Sequence, residues 1–156
     1  MARAVLGMLA YATAGAAAAA ERECHTGYLI DVLCWDRPGH IALDGAKLAT
    51  EPWTHTTHFM RDIPICRNNG FAVLHKLPTG SYDIKYKFDD KGNQLALNLV
   101  DTTKAVDDVQ VTVCGRQDSV AGTLLTESLD ELVAPAAEEE EEEEAAPVVG
   151  RRLPKA

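Results

Sequence analysis

The sequence predicts an all-β domain with one short helical insertion, a small barrel or sandwich of five to six strands. Several stretches alternate apolar and polar residues with the period of two that a half-buried strand needs. Gly- and Pro-containing turns punctuate them. A single region, residues 41–66, has a different character.

Before that domain, the chain opens Met-Ala-Arg, runs through an alanine-rich apolar stretch and turns polar at Glu21-Arg22-Glu23. A basic start, an apolar centre and an Ala-x-Ala exit are the layout of a secretory signal peptide, here residues 1–20. The apolar run is shorter than the ~20 residues of a helical membrane span, and no other stretch is long enough to be one. The chain is therefore expected to be secreted, extracellular or in the lumen of the secretory pathway, with no membrane span after cleavage.

The first strand is read in His25–Trp35 (HTGYLIDVLCW), closed by the Asp36-Arg37-Pro38-Gly39 turn. Tyr28, Ile30, Val32 and Cys34 share one face by the period of two and are expected to point inward. In the insertion, Thr50-Glu51-Pro52-Trp53 reads as a helix start, with Thr50 as cap and Pro52 in the first turn. That helix should stop before Pro64. After Asn69-Gly70, three strands are expected in residues 70–76, 81–88 and 94–100, separated by Pro78-Thr79-Gly80 and Asp90-Lys91-Gly92. In the second of them Tyr82, Ile84, Tyr86 and Phe88 oppose Asp83, Lys85 and Lys87. Residues 108–114 form another strand with Val109, Val111 and Val113 inward. Residues 119–133 read as a strand followed by a short helical turn, since Leu125, Leu129, Leu132 and Val133 recur at helical spacing.

The foldable body is thus residues 21–133, and residues 134–156 form an acidic tail. The tail holds seven consecutive glutamates, Glu138 to Glu144, a block that repels itself and buries nothing, so disorder is expected. From Glu21 to Leu129 there are 15 acidic and 11 basic residues, and from Asp130 onward 9 acidic and 3 basic. An acidic body without a basic stripe excludes a nucleic-acid partner. A small ligand, a metal ion or a protein remain as partners.

Several motifs resemble a group of small exported OB-like domains that open G-x-[LV]-x-D-x-x-C. They are Gly27-Tyr-Leu-Ile-Asp31-Val-Leu-Cys34, Cys66-Arg-Asn-Asn-Gly70-Phe-Ala-Val-Leu74 and Val109-Gln-Val-Thr-Val-Cys-Gly115. The group carries a His/Cys-bearing insertion and a V-x-V-x-G strand. The resemblance covers Gly27 to about Glu127 and implies a partly open five-stranded barrel, with no well-established activity. This chain has Phe59 where a cysteine would follow the insertion's histidine.

All four cysteines, Cys24, Cys34, Cys66 and Cys114, follow the leader, and an even set in a small exported domain reads as a disulfide framework. If Gly27–Cys34 is one straight strand, Cys24 and Cys34 stand roughly 33 Å apart, beyond bridging distance. Two pairings remain: Cys34–Cys66 with Cys24–Cys114, or Cys24–Cys66 with Cys34–Cys114. The first ties the insertion to the strand it leaves, and is preferred.

The insertion also offers donors for a metal. On a helix beginning near Pro52, His55 and His58 lie three apart on one face, with Asp62 one turn beyond His58. Cys34 and Cys66 would join them if reduced. Imidazole and thiolate suit zinc or copper. His25, His40 and His75 are read as surface residues. Trp35 and Trp53 flank the insertion, either as core anchors or as a ligand platform. Asp31, inside an apolar strand, reads as a strand-end carboxylate that bonds backbone amides. A catalytic role is the least supported: none of the serine-hydrolase, zinc-protease, Walker or dinucleotide patterns occurs. Two readings of function stand. One is a secreted binding module that takes a transition metal or small ligand at the 35–66 insertion. The other is a cell-surface or matrix structural or interaction protein that uses its acidic tail.

Overall fold

The computed structural model describes residues 21–120 and 122–132. The expected leader and the tail with its glutamate run lie outside the described residues.

Five strands close into a barrel. They are β1 (Arg22–Asp31), β2 (Phe71–Lys76), β3 (Tyr82–Phe88), β4 (Gln110–Gln117) and β5 (Thr123–Glu131). The order around the ring is β1-β2-β3-β5-β4. Every pairing is antiparallel except β3 with β5, which run parallel and share only the pairs Lys87–Thr123 and Phe88–Leu124. This is the five-stranded, OB-like member of the two expected architectures.

Two apolar clusters organise it. Leu29, Phe71, Val73, Tyr86, Phe88, Val109, Val111, Val113 and Leu124 fill the barrel. The three valines are inward as their alternation predicts. A second cluster lies outside the barrel wall, where Ile30, Ala72 and Leu74 are covered by Cys34, Trp35, Ala42, Ala46, Leu48 and Cys66 of the insertion. β1 and β2 are therefore buried on both faces. This corrects the expected single inward face of β1: Leu29 enters the barrel, whereas Tyr28 and Ile30 turn toward the insertion. A register shift between Val73 and Leu74 does the same for β3. Tyr86 opposes Val73 and stays with the barrel interior, while Ile84 opposes Leu74 and joins the outer cluster with Tyr82. Gly27 makes the close packing possible, because a Cβ there would sit 1.8 Å from the Leu74 carbonyl oxygen.

Four expected elements differ. The first strand ends at Asp31, and residues Val32–Trp35 form a single helical turn, α1. The insertion holds no continuous helix from Pro52 to Asp62. It has a 3-10 turn at Pro52–Thr54, then α2 (Thr57–Asp62) and α3 (Pro64–Arg67). His55 and Thr56 are extended and break the run. Residues 94–100 are not a strand but the middle of α4 (Asp90–Thr102). Its buried positions are Gly92, Ala96 and Val100, every fourth residue, and this wins over the alternation of Leu95, Leu97 and Leu99. The Asp89 carboxylate caps α4, accepting from the Gly92 amide at 2.9 Å, and the same oxygen accepts from the Thr126 amide of β5 at 3.1 Å. Finally, β5 continues to Glu131 with no helical turn, because its ladder with β4 runs the whole way from Gln117–Leu124 to Val111–Glu131.

Cys24 and Cys114 face each other across the β1–β4 ladder and are joined by a disulfide. The expected Cys34–Cys66 bridge is not formed: α1 and α3 carry these two residues as separate buried thiols. Among the described residues no helix is long and apolar enough to cross a membrane. The Cys24–Cys114 bridge closes a long loop, so replacing both cysteines with serine should lower stability by about 2–5 kcal/mol, measured by urea unfolding.

Candidate functional site

Where β1 gives way to the insertion, Asp31 ends the strand and caps α1. Its extended backbone and short carboxylate suit the cap position, and Oδ1 accepts from the Cys34 amide at 2.9 Å. The cap fixes the single turn that carries Cys34. Opposite it, Pro64 opens the equally short α3 that carries Cys66. The Asp31 carboxylate and the two sulfurs lie within 4.8 Å of one another, and all three residues are buried.

The second oxygen of Asp31 meets His55. This side chain leaves the extended residue after the 3-10 turn, points into the protein and is 2 % exposed. Its Nε2 is 3.0 Å from Asp31 Oδ2 and its Nδ1 is 2.8 Å from Asp44 Oδ2. With a carboxylate at each ring nitrogen, both nitrogens donate and the ring is an imidazolium. Burial opposes that charge, but the bonds to Asp31 and Asp44 outweigh it and raise the pKa from 6.5 to about 9. Asp44 is tied down further by the Thr56 amide and hydroxyl and by the Ala46 amide. Although burial acts against it, His55 and these amides hold its carboxyl well below the usual carboxylate range.

The thiols are the opposite case. Burial pushes both Cys34 and Cys66 above the ordinary thiol range, and the nearby Asp31 charge adds to the effect. They are protonated at neutral pH and shielded from solvent, which makes them poor nucleophiles. The arrangement offers two sulfurs and one carboxylate oxygen, converging from two single-turn helices and a strand end. Those donor types are the ones zinc and the softer copper ions take.

The expected trio of His55, His58 and Asp62 is not brought together. His58 and Asp62 form an exposed pair on α2, Nδ1 to Oδ2 2.9 Å, and Arg61 also bonds Asp62. His55 lies outside that helix and faces inward. Sequence reasoning reached Cys34, Cys66 and His55 but missed the role of Asp44 and the meeting of Asp31 with the thiols. One signal was present, since a β-strand ending in Asp-x-x-Cys has the form of an N-cap with its third helical residue.

The remaining candidates lie elsewhere. His25 and His75 are half-buried neighbours on β1 and β2, with ring centroids 6.0 Å apart. His40 stacks on Trp35 at 4.1 Å and bonds its carbonyl through Nδ1. Trp35 is a core anchor, whereas Trp53 is 41 % exposed and packs with Tyr28 and Tyr82. Phe59 packs against the outer cluster that contains both thiols. Compared with known proteins, the chain matches no family model, no curated protein and no solved structure.

The buried triad sets a pH profile. The raised pKa of His55 means its contribution to stability is complete below 6.5 and is lost as pH climbs through about 9. The lowered pKa of Asp44 means its contribution is complete above 3.8 and is lost on stronger acidification. Stability from the triad should therefore be fullest from pH 3.8 to 6.5. His55→Ala leaves two buried carboxylates without their cation and should cost about 3–5 kcal/mol at pH 6. Urea unfolding across pH should show that loss and a shallower alkaline decline in the variant.

Proposed function

We propose that the chain is a small secreted metal-binding module that holds zinc through Cys34, Cys66 and Asp31. The observation that carries this reading is the convergence of two buried sulfurs and a buried carboxylate within 4.8 Å. Its support is partly electrostatic. Two carboxylates and one imidazolium give the pocket a net charge of −1 while both thiols keep their protons. Exchanging those two protons for a divalent cation leaves that charge unchanged, so the fold need not absorb new buried charge. His55 acts as the outer partner, bonding the Asp31 oxygen and fixing its direction, as ligating carboxylates require.

The position in the fold also favours it. The site belongs to the β1–β2 connection, one of the loops with which OB barrels take their ligands. Export agrees with the Cys24–Cys114 disulfide. The motif resemblance to small exported OB-like domains belongs to the same reading, with Phe59 standing where a further sulfur would lie.

The test is a zinc titration against a chromophoric chelator, using the full chain with Cys24–Cys114 intact and the other two thiols reduced. One equivalent should bind. Cys34→Ser and Cys66→Ser should each weaken binding by about a hundredfold, and Asp31→Asn by about tenfold. His58→Ala and Asp62→Ala should leave it unchanged. The Cys34→Ser/Cys66→Ser double variant reports what the glutamate run binds. Equal affinity in wild type and double variant would overturn the site and return the tail-borne interaction reading to first place.

A further inference from the structure

We infer that Cys34 and Cys66 form a two-state redox gate, a dithiol that takes metal and a disulfide that excludes it. The inference rests on the metal-binding reading and deepens it. The two sulfurs are within 4.8 Å of each other, so each is the other's reaction partner as well as its co-ligand. They sit on α1 and α3, helices of four residues each. Helices so short hold their place by packing and caps rather than by their own hydrogen bonds, and they shift at low cost. Bringing the sulfurs to bonding distance takes a movement of at most about 3 Å.

The other cysteine pair is built differently. Cys24 and Cys114 are directly opposed in the long β1–β4 ladder, where the backbone itself holds the bridge. One pair is fixed within the sheet, and the other joins two single-turn helices packed into the outer cluster. Ile65, next to Cys66, is 58 % exposed. The thiols themselves are fully buried, so an oxidant reaches them only when α1 or α3 opens.

The oxidant is a low-molecular-weight disulfide of the glutathione class. On opening, one cysteine gives up its proton, and its thiolate attacks a sulfur of the oxidant. A protein–glutathione mixed disulfide forms and one glutathione thiolate leaves. The second cysteine, likewise deprotonated, attacks the protein sulfur of that mixed disulfide and expels the other glutathione. One sulfur–sulfur bond breaks in the oxidant and one forms in the protein. Two electrons and two protons pass to the two glutathiones. A metal ion held by both sulfurs ties α1 to α3 and occupies the lone pairs that the first attack needs. Metal therefore protects the pair, and a disulfide, with no thiolate to offer, has no ligand sulfur left for the metal.

The experiment incubates the full chain, dithiol at Cys34 and Cys66, with oxidised glutathione, with and without saturating zinc. Peptide mapping after alkylation reads the pairing directly, independently of metal. Without zinc, a Cys34–Cys66 disulfide should form while Cys24–Cys114 persists. With zinc, its formation should be about tenfold slower or more. The isolated disulfide form should show no more zinc binding than the Cys34→Ser/Cys66→Ser variant, and mild reduction should restore it. Zinc that binds the dithiol but leaves the oxidation rate unchanged overturns the gate and spares the metal site. A dithiol chain that binds no zinc yet still forms the disulfide overturns the metal site, and the gate with it. Persistence of both thiols under oxidised glutathione, even in urea concentrations that open the insertion, overturns the gate alone.

Discussion

The Asp31 carboxylate is the point on which the insertion turns. One oxygen caps α1 and so directs Cys34, and the other bonds the buried imidazolium of His55. Through His55 it is coupled to Asp44, which in turn anchors the amides of Ala46 and Thr56. Three separate stretches of a region with little regular structure, residues 31–34, 44–46 and 55–56, are thus positioned by charge-assisted hydrogen bonds to three side chains. Such a buried network is costly when incomplete and specific when satisfied, because every member needs its partner in place. A cation between two carboxylates also lets two thiols stay buried and neutral beside them.

This network explains how a small barrel supports an outer layer. The insertion supplies the apolar cover, with Leu48, Ala42, Trp35 and the two thiols sealing over Ile30, Ala72 and Leu74. β1 and β2 become a wall between two cores, and the site lies at the end of that wall. Packing supplies the bulk of the burial, and the ionic triad selects one arrangement of the loop over other apolar collapses of similar area.

Much of the barrel was legible because alternation is a strong signal where one face is apolar. Val109, Val111 and Val113 are the clearest instance. Alternation misled where a segment supports both periods. In residues 94–100 every second leucine suggests a strand, whereas Gly92, Ala96 and Val100 present the small stripe by which a helix lies flat on the barrel. The double burial of β1 was hidden because Tyr28 and Ile30 look the same whether they face an interior or an outer layer. The site was legible by composition and not by geometry. His55 and His58 are neighbours in sequence, but two extended residues send one imidazole inward and leave the other on the surface. Asp44 carried no mark at all, because its importance comes from a contact eleven residues away in a loop without periodicity.

The parallel seam between β3 and β5 gives the barrel a clasp. Only two residue pairs join those strands, and a single Asp89 oxygen stitches the start of α4 to β5 beside them. In a ring of five strands this seam lies opposite β1, the strand that leads into the Asp31 network. The hoop is thus thinnest at the point farthest from its ionic lock. Closure of the ring at this seam therefore depends on two residue pairs and one shared carboxylate oxygen, where the other seams have longer ladders. Loss of that one carboxylate, as in Asp89→Ala, would remove the cap of α4 and a bond to β5 at once, and so weaken the seam from both sides.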